Sequence, residues 1–325
     1  MHFLSLIGRS LTLAMLAGAA SAQAETTAGS YPSKPVTIVV PYAPGGVADS
    51  TARLLAQRLQ EAWHQSVVVE NRAGAGGLIG AGMVARAPAD GYTVLLGVSG
   101  LVLQPQLVKK ATYDPFKDFS SITLIARLPL LLAVPKAGAA KTLQEFVARG
   151  KANPGGTNIG NYGVGTPSHL LSIMLNQQAG MDLPLVPFQG SSQLATNLLG
   201  GQISGGLIDS VTARQFAERL NFLAVTGTQR LPGLPGLPTF RELGYRSFEQ
   251  DGWLGVLVPA ATPQAVADKL SSELVRIIMS PEVSAKIESM GITPVGSSPA
   301  EFAKVMRTDF DVYGKVIREA NIRID

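Results

Sequence analysis

The 325 residues carry 27 Lys plus Arg against 23 Asp plus Glu and contain no cysteine. That length favours two domains, and the missing thiols exclude disulfides, thiolate catalysis and cysteine-ligated metal. A charge this low for the size, with no long run of one sign, argues against a nucleic-acid partner.

In chain order, Arg9 marks a short basic start, residues 11–20 are apolar, and Ala22-Gln23-Ala24 follows. This is the pattern of a secretory signal peptide cleaved after Ala24. The apolar part is shorter than the roughly 20 residues of a spanning helix, and there is no cysteine to carry a lipid. The most apolar later stretch, 122–134, is interrupted by Arg127 and Pro129. An exported, cysteine-free, nearly neutral chain fits the periplasm of a Gram-negative bacterium.

After a polar lead-in over 25–30, strands are expected at 36–41, 66–70, 93–98, 130–134, 157–161, 185–188, 206–209, 222–226 and 255–258. Between the first two, Ala48, Ala52, Leu55, Leu59 and Ala62 recur at steps that put them on one face of a helix. Further helices are expected at 143–152, 168–178, 193–199, 265–278 and 300–319. Near-continuous apolar strands alternating with helices imply two α/β domains, each a mostly parallel sheet covered on both faces. The helical tail returns to cover the first domain, which places the crossing segments near 124–134 and 250–258. The "LPGLPGLP" repeat at 231–238 is a semi-rigid loop.

Several chemistries are missing. Beyond residue 24 the only histidines are His64 and His169, and neither has a carboxylate at metal-ligand spacing. The glycine-rich stretch 74–82 is neither a P-loop nor a dinucleotide fingerprint. "GVSGL" lacks the second glycine of a nucleophile elbow, because Leu101 stands there. A hydrolase assembled from scattered Ser, His and Asp remains an alternative.

What is present is a set of three strand-to-helix junctions, "PYAPGGVADS", "YGVGTPSHL" and "PFQGSSQL". Helix N-termini have unpaired N–H groups and attract anions, and in open α/β sheets ligands bind outside the carboxyl ends of the strands. Thr166 followed by Pro167 reads as an N-cap and first-turn proline, and Ser191 reads as another N-cap. The ligand implied is a small carboxylate held by backbone amides and hydroxyls; the competing reading is that each turn only caps its helix. Asp49 either caps the helix that follows it or contacts a ligand, where it would repel a second carboxylate; Asp209 poses the same choice. His169 donates to a ligand or packs, with structural support favoured. His64 reads as surface, and Arg72 as organising a glycine loop rather than clamping a carboxylate. Ser99 sits where a ligand hydroxyl contact is expected, and Tyr42 and Phe188 are candidate apolar walls.

At these residues the sequence resembles the periplasmic solute receptors of tripartite tricarboxylate transporters, the Bug family. The resemblance is carried by "YPSKPVTIVVPYAPGGVAD", "VVVENRAGAGGLIGA", "DGYTVLLG", "GVGTPSHL", "VPFQGSSQLATNLLGGQI" and "DGWLGVLVPAATP", in the family's order. It implies an α/β, two-lobed type II periplasmic-binding-protein fold, a Venus flytrap of two doubly wound mixed sheets with a cleft between them. Lobe 1 would take residues 31–126 and 252–325, and lobe 2 residues 127–251. Carried over position by position, the family's site falls on Tyr42, Pro44, Gly45, Gly46, Asp49, Ser99, Gly165, Thr166, Ser168, His169, Gln189, Gly190 and Asp209.

The resemblance further implies a monomeric receptor with no catalytic activity and no cofactor, passing a di- or tricarboxylate, acidic amino acid or aromatic carboxylate to a large and a small membrane subunit. Two departures matter. "PFQG" puts neutral Gln189 where "PYKG" is frequent, and "SGLVLQPQL" replaces a "HAINP"-like segment beside Ser99. Both point to a less highly charged ligand, such as a monocarboxylate or an amide. A ligand sensor of the same fold, or a hydrolase using Ser99 or Ser168 with His169, are the alternatives.

Overall fold

The computed structural model describes residues 31–137 and 140–324. The expected signal peptide and polar lead-in lie outside the described residues.

The first sheet begins with a parallel trio. Strand β1 (Val36–Val40) runs into helix α1 (Val47–Trp63), followed by β2 (Val67–Asn71), α2 (Leu78–Ala85), β3 (Thr93–Val98) and α3 (Gly100–Leu107). Val36 to Val40 pair in register with Val67 to Asn71, and Thr37 to Val39 with Thr93 to Leu95. Strand β4 (Phe119–Leu128) then passes through Pro129 into β5 (Leu130–Pro135). Proline has no N–H to give a ladder, so the hydrogen-bonding partners change at this residue and the chain enters the second sheet.

The second sheet repeats the plan. Helix α4 (Leu143–Ala152), β6 (Ile159–Asn161), α5 (Pro167–Ala179), β7 (Leu185–Pro187), α6 (Ser191–Leu199), β8 (Gly205–Asp209), α7 (Ser210–Gln215) and β9 (Leu220–Val225) follow in turn. The chain returns through β10 (Gly252–Pro259), α8 (Gln264–Ile278), α9 (Pro281–Ser289), β11 (Thr293–Pro294) and α10 (Pro299–Glu319). Sheet orders are β11-β4-β10-β3-β1-β2 and β7-β6-β8-β5-β9. The expectation of mostly parallel sheets is corrected to mixed ones. In each, a parallel trio (β2-β1-β3 and β7-β6-β8) carries the glycine junctions, while strands adjoining the crossings run antiparallel to their neighbours.

The tail does return to the first sheet. α10 starts from a capping box between Ser298 and Glu301, packs on β4 and α3 and also reaches α5. One continuous apolar cluster therefore runs from Leu95 and Leu103 through Phe302 and Trp253 to Leu132 and Leu171. Burial of each such side chain stabilises by about 1.5 to 3 kcal/mol.

The crossings are tied by polar groups. Thr226 Oγ1 accepts the Leu130 N–H at 2.9 Å and donates to Asp251 Oδ1 at 2.7 Å. A Cβ on Gly252 would stand 2.8 Å from the Leu128 carbonyl oxygen, so only glycine lets the two crossing strands approach this closely. Among the described residues no helix is long and apolar enough to cross a membrane.

Candidate functional site

Past the end of β1 at Val40, Gly45 takes a φ of +90°, a left-handed conformation that favours glycine. Gly46 is the N-cap of α1 and offers no side chain to it. Among the described residues none accepts the N–H groups of Val47, Ala48 or Asp49, and Pro44, Gly45 and Gly46 are exposed. The first turn of a 17-residue helix is thus open to an anion.

Asp49 has a different task from these amides. Buried, it accepts the Gly45 N–H at 3.0 Å and Arg53 Nε at 3.1 Å, with Arg53 Nη2 3.0 Å from its other oxygen. The Arg53 guanidinium, aided by the Gly45 amide, holds this carboxyl below the usual carboxylate range. Its charge is answered inside its own helix, and the turn it closes is the Pro-Gly-Gly turn.

Tyr42 is half-buried, its hydroxyl 3.0 Å from the Cβ that Gly77 lacks and 3.3 Å from that of Gly100. It therefore leans on the turn before α2 and on the start of α3. Burial raises its proton affinity and keeps it neutral. Ser99 is buried at the head of α3, its N–H bonded to the Trp253 carbonyl at 3.2 Å and its hydroxyl without a hydrogen-bond partner among the described residues. Because β1 and β3 are neighbours, Tyr42 and Ser99 come to the same end of the first sheet.

In the second lobe, Thr166 caps α5 as expected, accepting the His169 N–H at 3.4 Å, with Pro167 in the first turn. Gly165 donates its N–H to His169 Nδ1 at 3.3 Å, which leaves Nε2 to carry the imidazole proton. Burial lowers the pKa of His169 and keeps it neutral. Ser168 Oγ donates to the Leu207 carbonyl at 2.6 Å and so pins α5 to β8. Pro167 has no N–H, and no described residue accepts the Ser168 N–H. The α5 terminus, expected to offer free amides, keeps that of Ser168, while the His169 N–H goes to Thr166.

The β7–α6 junction is the open one in this lobe. Gly190, at φ +105°, is the N-cap, which corrects the expectation that Ser191 would fill that role. Ser191 is the first helical residue and its Oγ accepts the Asp209 N–H at 3.1 Å. Gln189 is exposed, with its N–H held by Gln193 Oε1 at 2.7 Å. No described residue accepts the N–H groups of Ser191, Ser192 or Gln193. Asp209 is the N-cap of α7, accepting the Thr212 N–H at 2.7 Å.

Strand order places the carboxyl ends of β7, β6 and β8 side by side, so the turns at 165–169, 189–190 and 209 share one rim. Across the cleft, Gly165 packs so tightly on Leu107 that a Cβ would come within 2.4 Å. A cavity of about 490 Å³ is lined by Gly45, Val47, Ser50, Ser289 and Met290 on one side and Val211, Arg214 and Gln215 on the other. Of the residues named from sequence, Gly45 alone lines that cavity. Arg214, whose Nη1 also donates to the Glu288 carbonyl at 2.9 Å, was missed because it lies on a six-residue helix with no periodic signal.

The rim holds no hydrolytic pair among the described residues: neither Ser99 nor Ser168 hydrogen-bonds to His169, and the acceptor nitrogen of His169 is taken by Gly165. Nor does any group of three acidic or histidine side chains among them suit a metal ion. The arrangement presents two uncapped helix N-termini, α1 and α6, from opposite lobes.

Comparison with known proteins gives a consistent outcome. Residues 51–322 match the Tripartite tricarboxylate transporter family receptor, TctC. The UPF0065 protein in tcbD-tcbE intergenic region of Pseudomonas sp. (strain P51) is 36% identical over 319 residues, covering 96% of this chain and 95% of the relative. The structure of periplasmic binding protein BugD superposes with a TM-score of 0.75 at 32% identity, covering 90% of this chain and 99% of that one. R. palustris Rpa4515 with adipate superposes with a TM-score of 0.77 at 32% identity, over the same shares of the two chains.

Proposed function

The chain belongs to the tripartite tricarboxylate transporter receptor family, and on that premise we propose that it captures a small organic carboxylate between its lobes and delivers it to a membrane transporter of two subunits. It is a periplasmic solute-binding receptor of the Bug type and not an enzyme. The observation that carries the carboxylate reading is the pair of helix N-termini without a side-chain cap, α1 at Gly46 and α6 at Gly190, presented by opposite lobes. One carboxylate spanning them gains from both only when the lobes are closed, so it shifts the population toward the closed form.

In this reading lobe 1 comprises residues 31–126 and 252–325 and lobe 2 residues 127–251, and the receptor acts as a monomer after cleavage at Ala24. Tyr42, Pro44, Gly45, Gly46 and Ser99 face the ligand from the first lobe. Gly165, Thr166, His169, Gln189 and Gly190 face it from the second. Asp49, Ser168 and Asp209 act on it through the turns they hold. Neutral Gln189 and neutral His169 leave the turns before α5 and α6 without a full cation, so the cation that the second lobe brings to the cavity is Arg214, which favours a singly charged ligand over a tricarboxylate. Thermal-shift measurements with mono-, di- and tricarboxylates and with nucleotides test this. A shift with at least one carboxylate and none with nucleotides is expected; no shift with any carboxylate, from protein first unfolded and refolded to empty the pocket, overturns it.

A further inference from the structure

Helix α7, which follows the second sheet's β8, touches the first half of the molecule beside the opening turn of α1. Ser210 Oγ donates to the Gly291 carbonyl at 2.5 Å. A Cβ on Gly291, whose φ is +86°, would stand 3.0 Å from the Val211 Cα. Helix α7 is therefore seated directly on the turn between α9 and β11. That turn rests on α1, where Thr51 Oγ1 lies 3.9 Å from Met290 Sδ. Elements attached to both sheets thus close around the cavity of about 490 Å³, a size ordinary for a small-molecule site.

Arg214, in the last turn of α7, is the one charged residue among the described residues that line this cavity; the other walls are glycine, serine, glutamine and apolar side chains. Its Nη1 donates to the Glu288 carbonyl at 2.9 Å, at the C-terminal end of α9, where the helix dipole favours a cation. A guanidinium carries five N–H donors in a planar fork. No described residue accepts from Nε or Nη2 of Arg214, and no described carboxylate pairs with it. Asp49 is taken up by Gly45 and Arg53, and Asp209 caps α7. The side chain is therefore anchored on the first lobe by one N–H, and its Nε–Nη2 edge keeps the geometry that takes a carboxylate bidentately.

We propose that Arg214 is a specificity-determining residue, its guanidinium pairing with the ligand carboxylate in this cavity while it stays anchored to the Glu288 carbonyl. One side chain then selects a singly charged carboxylate over a neutral amide of the same shape and ties the two lobes together around it. The proposal rests on the carboxylate-receptor reading given above.

The test is calorimetry at low and high salt with acetate, propionate, succinate, adipate and the primary amide of whichever binds best, on wild type, Arg214→Gln and Ser210→Ala. Glutamine can still donate to the Glu288 carbonyl but carries no charge. Losing a hydrogen bond to a charged group weakens binding roughly 10- to 100-fold. Arg214→Gln is expected to lose that much for every carboxylate wild type binds, to lose the salt dependence of that affinity, and to bind acid and amide alike. Ser210→Ala removes the neighbouring bond between the lobes and no charge, so its salt dependence and its preference for acid over amide are expected to match wild type. If Arg214→Gln binds carboxylates as wild type does, or weakens with salt dependence and acid preference intact, the proposal is overturned while the reading stands. If wild type binds none of the four nor any other carboxylate, the reading falls and the proposal with it.

Discussion

Asp309 sits on α10 where the crossing strands meet, 1% exposed, its Oδ2 accepting the Trp253 indole N–H at 2.7 Å. Asp251 lies beside it, bonded to Thr226 Oγ1, with the partly exposed Arg127 3.8 Å from its other oxygen. Burial pushes Asp309 up to about 7 and Asp251 up to about 6; the indole and Thr226 bonds and Arg127 only partly offset it. Tyr313 interacts electrostatically with both carboxyls and is kept neutral by burial, and Glu249, Glu301 and Lys304 line the same cavity as Asp309 and Arg127.

The folded protein therefore holds protons that the unfolded chain has released. The stability these two groups give is fully present below about pH 4, the unfolded value. It is lost as pH rises through about 6 and 7. For Asp309 the displacement corresponds to at most about 4 kcal/mol. An asparagine can still present its oxygen to Trp253 but cannot ionise. Asp309→Asn is thus expected to be more stable than wild type above pH 7.5, by about 2 to 4 kcal/mol, with the difference shrinking as pH falls and nearly gone below about pH 4. Urea unfolding across that range measures the difference. A variant whose stability follows the wild-type pH profile in parallel would refute the argument.

Three further outcomes follow from the same geometry. Asp49→Asn removes the pair with the exposed Arg53 and should cost about 1 kcal/mol at pH 7; because Asp49 is held low, that difference vanishes as pH falls through its folded value, which unfolding at pH 7 and pH 3 will detect. Gly45→Ala has open space for its Cβ but a φ of +90°, so a loss of about 1 to 2 kcal/mol from backbone strain is expected, together with weaker ligand binding by calorimetry. His169 is depressed by burial, so its contribution runs opposite to that of Asp309: it is present at high pH and is lost as pH falls below about 6.5. His169→Gln should flatten that limb of the stability curve.

Much of the positioning scaffold was legible in the sequence because glycines and prolines punctuate it. The β1 run stops at Pro-Gly-Gly, Thr166-Pro167 announces α5, and the apolar steps of α1 reappear as buried Ala48, Ala52, Leu55 and Leu59. Elements that escaped did so for identifiable reasons. β4 merges with β5 into one apolar run whose break is a single proline. α2 is apolar on every side with two glycines, and α3 contains Pro105, so neither shows a polar face or helical punctuation. Within the site, residue types were readable but not which donors remain free. That Asp49 consumes the Gly45 amide and His169 that of Gly165 depends on side-chain directions that spacing does not encode. The Asp251–Asp309 pair, 58 residues apart in the numbering, left no local signal.

The most direct test is a crystal structure of the protein with the carboxylate giving the largest thermal shift. The ligand is expected between the lobes, with carboxylate oxygens within hydrogen-bond distance of the first-turn amides of α1 or α6. A ligand seated outside the cleft, or one held in it with its carboxylate turned away from both helix termini, would contradict the account.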